Sequence, residues 1–260
     1  MRHLMIAGCL ALVWAAGSEP PGERDFDEGM QALEKKDWDR ALDLLEKALA
    51  ADADNLRYGS EYRQAVLRYA QTIHPKDGQV QDFDRSLKFF EKLVDQSPAA
   101  SNAHLNYGFA YVDKIPAAGA ITQVILANTA LGEFTKSLEL KPTWIGYYTR
   151  GVSYLFWPKI FGRAKLGLAD LEEAVKLQSA GPRRPYYVRA WIALGDGYWK
   201  TDDLEKARET WKRGLKEFPG EKVLEGRLGL EGDALKERIE DALDPSKRVD
   251  TNLKDLWTTP

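Results

Sequence analysis

With 260 residues, 44% of them hydrophobic and 30% charged, the chain can bury a sizeable core and is not of the composition that stays disordered. A formal net charge of −3 supplies no basic field for nucleic acid, so a nucleic-acid partner is not expected. A single cysteine, Cys9, excludes an internal disulfide.

The N-terminal stretch "MRHLMIAGCLALVWAAGSEPPGERD" is laid out as a secretory signal peptide. Arg2 gives a basic start, Leu4 to Ala16 an apolar run, and Ala15 and Gly17 stand at the −3 and −1 positions of a cut before Ser18. The run is shorter than the roughly 20 residues that span a hydrocarbon core, and no later segment is apolar enough to do so. Residues 1–17 are therefore expected to be a leader, and the mature chain to be exported, periplasmic and without a transmembrane segment. Ile6-Ala7-Gly8-Cys9 also resembles a bacterial lipobox, which gives the alternative of a lipid anchor on Cys9. Against that alternative stand the few apolar residues before Cys9 and the greasy "LALVWAAG" after it.

From 18 to 220 the chain repeats. "FDEGMQALEKKDWDRALDLLEKALAADADN" predicts two amphipathic helices, and "DFDRSLKFFEKLVDQSP" predicts another helix. "AHLNYGFAYV" with "ALGEFTKSLELKP", then "YYTRGVSYLF" with "LGLADLEEAVKL", predict two further pairs. The clearest stretch is "WIALGDGYWKTDDLEKARETWKRGLKEFPGE", two helices broken at Thr201-Asp202-Asp203. It holds Gly195 and Gly214 inside helices, although glycine there costs about 1 kcal/mol relative to alanine. Close contact between helices explains this: Gly195, Ala207 and Gly214 make room for Trp191, Tyr198 and Trp211.

That last unit resembles a tetratricopeptide repeat, a helix–turn–helix of about 34 residues. With Gly195 at position 8, Trp191, Leu194 and Tyr198 fall at 4, 7 and 11, and Ala207, Trp211, Gly214 and Pro219 at 20, 24, 27 and 32. Upstream, Gly29, Gly108 and Gly151 take position 8. Leu45, Phe90, Phe134 and Leu171 take position 24, and Ala48, Leu93, Ser137 and Ala174 position 27. The resemblance implies an all-α, right-handed solenoid of about five degenerate helix pairs. Successive units are longer than the usual period. The excess lies in "HPKDGQVQ", "KIPAAGAITQV" and "FWPKIFGRAK", which either project from one face or lengthen helices. Beyond 220, residues 221–260 predict capping helices and a polar tail in which Val249, Leu253, Leu256 and Trp257 are the apolar exceptions. Trp257 is expected to fold back onto the body, the alternative being a docking peptide for a partner.

Chemistry-bearing motifs are nearly missing. His3, His74 and His104 stand at no metal-ligand spacing, no phosphate loop or nucleophile elbow occurs, and "DADN" at Asp52 to Asn55 lacks the glycine and distal glutamate of a calcium loop. It reads instead as an inter-repeat turn. No catalytic residue, metal or cofactor is expected, and the protein is not expected to be an enzyme.

The resemblance further implies that positions 2, 5, 9, 12 and 13 of each first helix point into a groove. By register this puts Phe26, Met30 and Leu33 in the first unit, Leu105, Phe109 and Val112 in the third, and Tyr148, Val152, Leu155 and Phe156 in the fourth. The last unit supplies Arg189, Ile192, Asp196, Trp199 and Lys200. The family's carboxylate-clamp members carry Lys and Asn where this chain has Leu105, Phe109, Tyr148 and Val152, so the groove suits an amphipathic helix, a hydrophobic peptide or a small apolar ligand. The segment "AAGAITQVILANTALGEF" (117–134) could instead fold over the groove and fill it. "FWPKIFGRAKLGLADLEEAVKL" is similar to the proline-containing link of the T component of TRAP transporter systems, which implies a transport accessory holding a small apolar or anionic ligand. The leading expectation is an exported scaffold that binds another envelope protein or peptide. If the leader is read correctly, mass spectrometry of the envelope form finds Ser18 as its first residue; a lipid-modified Cys9 would reverse the localisation.

Overall fold

The computed structural model describes residues 19–73, 79–244 and 249–258. The expected leader with His3 and Cys9, and His74 at the start of the first insertion, lie outside the described residues.

Among the described residues there are thirteen α-helices and no strand. Ten of the helices form five consecutive antiparallel pairs: α1 (Glu23–Glu34) with α2 (Trp38–Ala51), α3 (Leu56–Ile73) with α4 (Gln79–Gln96), and α5 (Ser101–Lys114) with α6 (Ala120–Leu140). α7 (Trp144–Leu155) with α8 (Ala164–Ser179), and α9 (Val188–Lys200) with α10 (Leu204–Glu217), complete the series. Then come α11 (Lys222–Gly229), α12 (Gly232–Ala242) and a single turn, α13 (Asp255–Thr258). Each helix packs mainly on its neighbours in the chain, as a solenoid requires.

One contact is repeated along the stack. The position-24 residues Leu45, Phe90, Phe134, Leu171 and Trp211 are all fully buried. In four pairs this side chain lies directly over the position-8 glycine of the partner helix. A Cβ added at Gly195 would sit 2.1 Å from Nε1 of Trp211, and one at Gly108 would sit 2.4 Å from Cε1 of Phe134. Gly29 against Leu45 and Gly151 against Leu171 repeat the arrangement at 3.0 and 2.8 Å. The second pair differs: there Tyr62 of α3 meets Phe90 at 5.7 Å between ring centroids, and Gly59 approaches the Asn106 side chain of α5.

Local chemistry ends and starts the helices where the sequence suggests. Asp202 adopts φ 69° in the turn after α9, and the Asp203 carboxylate accepts from Lys206 N at 3.0 Å to cap α10. Asn55 Oδ1 accepts from Tyr58 N at 3.2 Å, so Asp52 to Asn55 is an inter-repeat turn. α11 and α12 close the last pair by burying Leu224, Leu235 and Ile239 against Ala207 and Trp211.

The insertions have two outcomes. "KIPAAGAITQV" forms a 3-10 turn and then the first turns of a lengthened α6, whereas "FWPKIFGRAK" projects as a loop with a 3-10 turn at Lys159–Phe161. The 117–134 segment therefore supplies one wall of the groove through α6 and does not fill it.

Gly195→Leu is expected to lower stability by about 1–3 kcal/mol or more, because the fully buried Trp211 cannot move aside without overpacking its neighbours. Trp211→Leu in the same chain should recover part of the loss. Urea unfolding of the single and double variants checks both, and equal stability of Gly195→Leu and the parent would remove the register assigned here.

Candidate functional site

A cavity of about 370 Å³ lies on the first-helix side of the solenoid, between α5, α6, α7 and the C-terminal tail. Phe109 and Val112 of α5, Val124 and Ala127 of α6, and Tyr148 and Val152 of α7 form its walls. Phe156, the C-cap of α7, continues the wall, and Leu253 and Leu256 of the tail close one side. The size falls in the range of ordinary ligand and peptide pockets, roughly 300–1,000 Å³.

The aromatic wall is a packed set, with Trp144 and Tyr186 lining the cavity beside Tyr148. Tyr148 stacks on Trp144 with centroids 5.1 Å apart and planes 4° from parallel, and Trp144 Nε1 donates to Gln178 Oε1 at 2.9 Å. Tyr186 and Tyr187 pack on the same indole at 5.3 and 5.1 Å. Burial pushes the Tyr148 hydroxyl above its ordinary value, against the pull of Arg189, so the ring presents a neutral surface. Phe109 is wedged edge-on against Phe134 at 5.3 Å, with the Arg63 guanidinium 4.6 Å from its centroid.

Six of the residues placed on the groove by register line this cavity: Phe109, Val112, Tyr148, Val152, Phe156 and Arg189. Leu155 does not, being fully buried in the core with Leu171 and Ala190, and Ile192 packs against the cap cluster. Leu105 lies one turn of α5 away from Phe109, fully buried among Phe134 and Leu253, and helps support the wall. Trp199 lies elsewhere, packed with Ala207, Trp211 and Leu224 against the cap. Lys200 is elsewhere too: its Nζ donates to the Leu155 carbonyl at 2.5 Å, and burial lowers its pKa. Asp196 is buried in a bidentate pair with Arg227 of α11, at 2.8 and 2.9 Å, because the cap covers the end of α9 that an open repeat would expose. Phe26 of the first unit is core, stacked on Tyr58 at 4.5 Å.

What register reasoning missed is the tail and the side chain that receives it. Residues 249–258 run back across the groove from the far end of the chain. Fully buried Arg63 of α3 donates from Nη2 to the Thr251 carbonyl at 3.1 Å, from Nη1 to Asp113 Oδ2 at 2.9 Å and from Nε to Asn106 Oδ1 at 3.0 Å. Thr251 Oγ1 in turn donates to Asp113 Oδ1 at 2.5 Å and accepts from Gln64 Nε2 at 3.3 Å. Burial lowers the Arg63 pKa from its ordinary value while Asp113 raises it, and a guanidinium so far above neutrality keeps its charge. At the cavity rim, Arg189 donates to Asp255 of α13 at 2.5 Å, so the tail neutralises the cation expected at the polar end of the groove. Trp257 packs against the Leu105–Phe134–Leu253 cluster, which is the fold-back expected of it. Among the described residues no group of three or more His, Cys, Asp and Glu could hold a metal ion. His104, which could have been a ligand, is buried against Glu133 at 2.7 Å.

Solved structures share this arrangement of helices. TTC0263, a thermophilic TPR protein of Thermus thermophilus, matches with a TM-score of 0.53 over 83% of this chain and 99% of that chain, at 19% identity. YrrB, another TPR protein, matches with a TM-score of 0.51 over 82% of this chain and 94% of that chain, at 14% identity. The chain has the tetratricopeptide-repeat fold. A curated relative, the chloroplastic tetratricopeptide repeat domain-containing protein PYG7 of Arabidopsis thaliana, is 39% identical over 93 residues, which are 36% of this chain and 26% of that protein. The match is thus confined to about a quarter of the relative's length. No protein-family model matches the chain.

Within this tetratricopeptide-repeat groove the Arg63 network is complete, since each guanidinium nitrogen has an acceptor. Arg63→Ala is expected to cost about 3–5 kcal/mol, because it leaves Asp113 buried with its countercharge gone. Arg63→Met combined with Asp113→Leu should lose much less, as a charge pair replaced by apolar groups of similar volume does. Chemical denaturation of the two variants tests this, and a loss under about 1 kcal/mol for Arg63→Ala would mean that Asp113 reaches water.

Proposed function

We propose that this protein is an exported interaction scaffold of the cell envelope, and that its cavity holds an apolar segment of a protein partner. The observation that carries the reading is the cavity itself. Aromatic and branched side chains from α5, α6 and α7 converge there, and they stay partly exposed instead of closing into core: Tyr148, Val152 and Phe156 are half-buried. Large, pre-packed aromatics in a concave site are the groups that dominate binding energy at protein interfaces. The fold supports the reading, because solenoids of helix pairs present extended concave binding surfaces. YrrB is described as having an unusual peptide-binding site. The same mode carried to this chain would seat a peptide in the cavity beside the tail. Export rests on the leader-like residues 1–17, and the proposed division of the mature chain is a repeat body to 220 followed by capping helices and tail. The ligand would be recognised by shape and apolar area, with no catalytic step.

A second reading is favoured by one observation. The tail and α6 enclose the cavity on two sides, to a size that suits a small apolar ligand, with Arg189 at the rim for an anionic end if Asp255 releases it. That would make the protein an accessory of a TRAP-type transporter, in line with the similarity of "FWPKIFGRAKLGLADLEEAVKL". TRAP permease genes beside this one would favour it.

Crosslinking and pull-down from envelope extracts identify the partner, and titration with Tyr148→Ala tests the site. Affinity should fall about thirtyfold, or about 2 kcal/mol, as for an aromatic hot spot. Trp199→Ala, which lies away from the cavity, should leave the affinity of the folded protein unchanged. Equal affinities for parent and Tyr148→Ala would remove the cavity as the site.

A further inference from the structure

We propose that the tip formed by the first turns of α6 and the Lys159–Phe161 turn is a docking surface for an anionic lipid bilayer. This does not depend on what the cavity holds. The largest apolar exposures in the fold are gathered at this tip: Ile160 is 89% exposed, Ile121 82%, Phe161 61% and Ile125 59%. The two segments form one surface. Val124 and Phe161 line the mouth of the same cavity, and Arg163 Nη1 donates to Asn128 Oδ1 at 2.8 Å, tying the loop to α6. Gly162, in the left-handed region at φ 66°, ends the 3-10 turn and leaves Ile160 and Phe161 at its crest.

Charge points to the occupant. The chain has more acidic than basic residues, yet 114–132 and 140–169 contain no Asp or Glu. The loop contributes Lys159 and Arg163 to this acid-free zone, and the first turn of α8 adds Lys165. Lys159 meets Asp202, while Arg163 lies 3.7 Å from the Trp157 ring centroid, and neither Arg163 nor Lys165 has an acidic partner among the described residues. Protruding aliphatic and aromatic side chains, flanked on one side by Arg163 and Lys165 and backed by a tryptophan, match the two layers of an anionic interface. The apolar tips enter the acyl boundary, the cations meet the headgroups, and the indole sits between. A second copy of the chain fits less well, because a two-fold contact through this patch would bring Arg163 and Lys165 close to their own counterparts. Among the described residues no helix is long and apolar enough to cross a membrane, so the contact is with the surface.

A nitroxide at Ile160→Cys, in a Cys9→Ser background, reports on this position alone, whatever residues 1–17 do. A label at Lys212→Cys, an exposed residue of α10, serves as the control. With equimolar phosphatidylcholine–phosphatidylglycerol vesicles, the label at 160 should become accessible to oxygen and shielded from a nickel complex, while that at 212 stays in water. Vesicle partitioning should fall about tenfold on changing to pure phosphatidylcholine, and about tenfold again in Phe161→Asp, whose exposed position leaves far-UV circular dichroism unchanged. A label at 160 that stays in water on vesicles the protein binds would overturn the proposal, as would the absence of binding. So would spin–spin broadening at 160 without lipid, which would assign the patch to a second copy, or shielding of 160 only by the protein captured in pull-downs, which would assign it to that partner.

Discussion

The close approach of two helices at a glycine is the contact on which the rest of the structure depends. Where the first helix of a pair offers only a hydrogen at position 8, the second can lay a whole side chain across its backbone, as Trp211 does on Gly195 and Phe134 on Gly108. Interior side chains pack at crystal-like density, so this one contact sets both the separation and the crossing of the pair. Repeated along the chain, it stacks the pairs so that the first helices share one side. The groove follows from that stacking, and so does the exposure of groove residues: side chains pointing away from the pair contact have no partner helix to cover them.

The tail turns an open groove into a bounded cavity. It does so through polar contacts as well as apolar ones: Arg63, Asp113, Asn106 and Thr251 form a buried set in which the donors and acceptors match. A charge taken out of water is tolerated only when its partners are all present. The tail is therefore part of the folded groove and defines its limits, with Leu253 buried beside Phe109 and Asp255 neutralising Arg189. At the opposite end, α11 plays a comparable part by placing Arg227 on Asp196, which removes a register-predicted groove position from the surface.

The insertions lengthen the units where the stack has no further use for apolar residues. In α6 the first turns extend past the pair contact, and in the 156–163 loop the chain leaves the stack altogether, so Ile121 and Ile160 meet no core. Residues that the repeat would bury are here set outward at the mouth of the cavity. The acid-free sequence around them makes this corner electrostatically different from the rest of an acidic chain.

Most of the helix pairs and their packing positions were legible in the sequence, because the contacts that make a repeat join residues a short and recurring distance apart; the first helix of the second unit, α3, was not. Gly195 and Trp211 can be matched by counting, as can Gly29 and Leu45. The same counting brought six of the groove residues to the cavity. It failed for Trp199, Lys200 and Asp196, which the capping helices and the neighbouring pair cover, since register says which way a side chain points but not what arrives there. It gave no hint of Arg63, whose helix lacks the glycine contact of the other units and whose partner Thr251 lies at the other end of the chain. Sequence alone determined the solenoid, whose stability is a sum of local pair contacts. Only the tertiary structure decided where the groove stops and what closes it, because those features rest on pairings between distant segments that have no period to betray them.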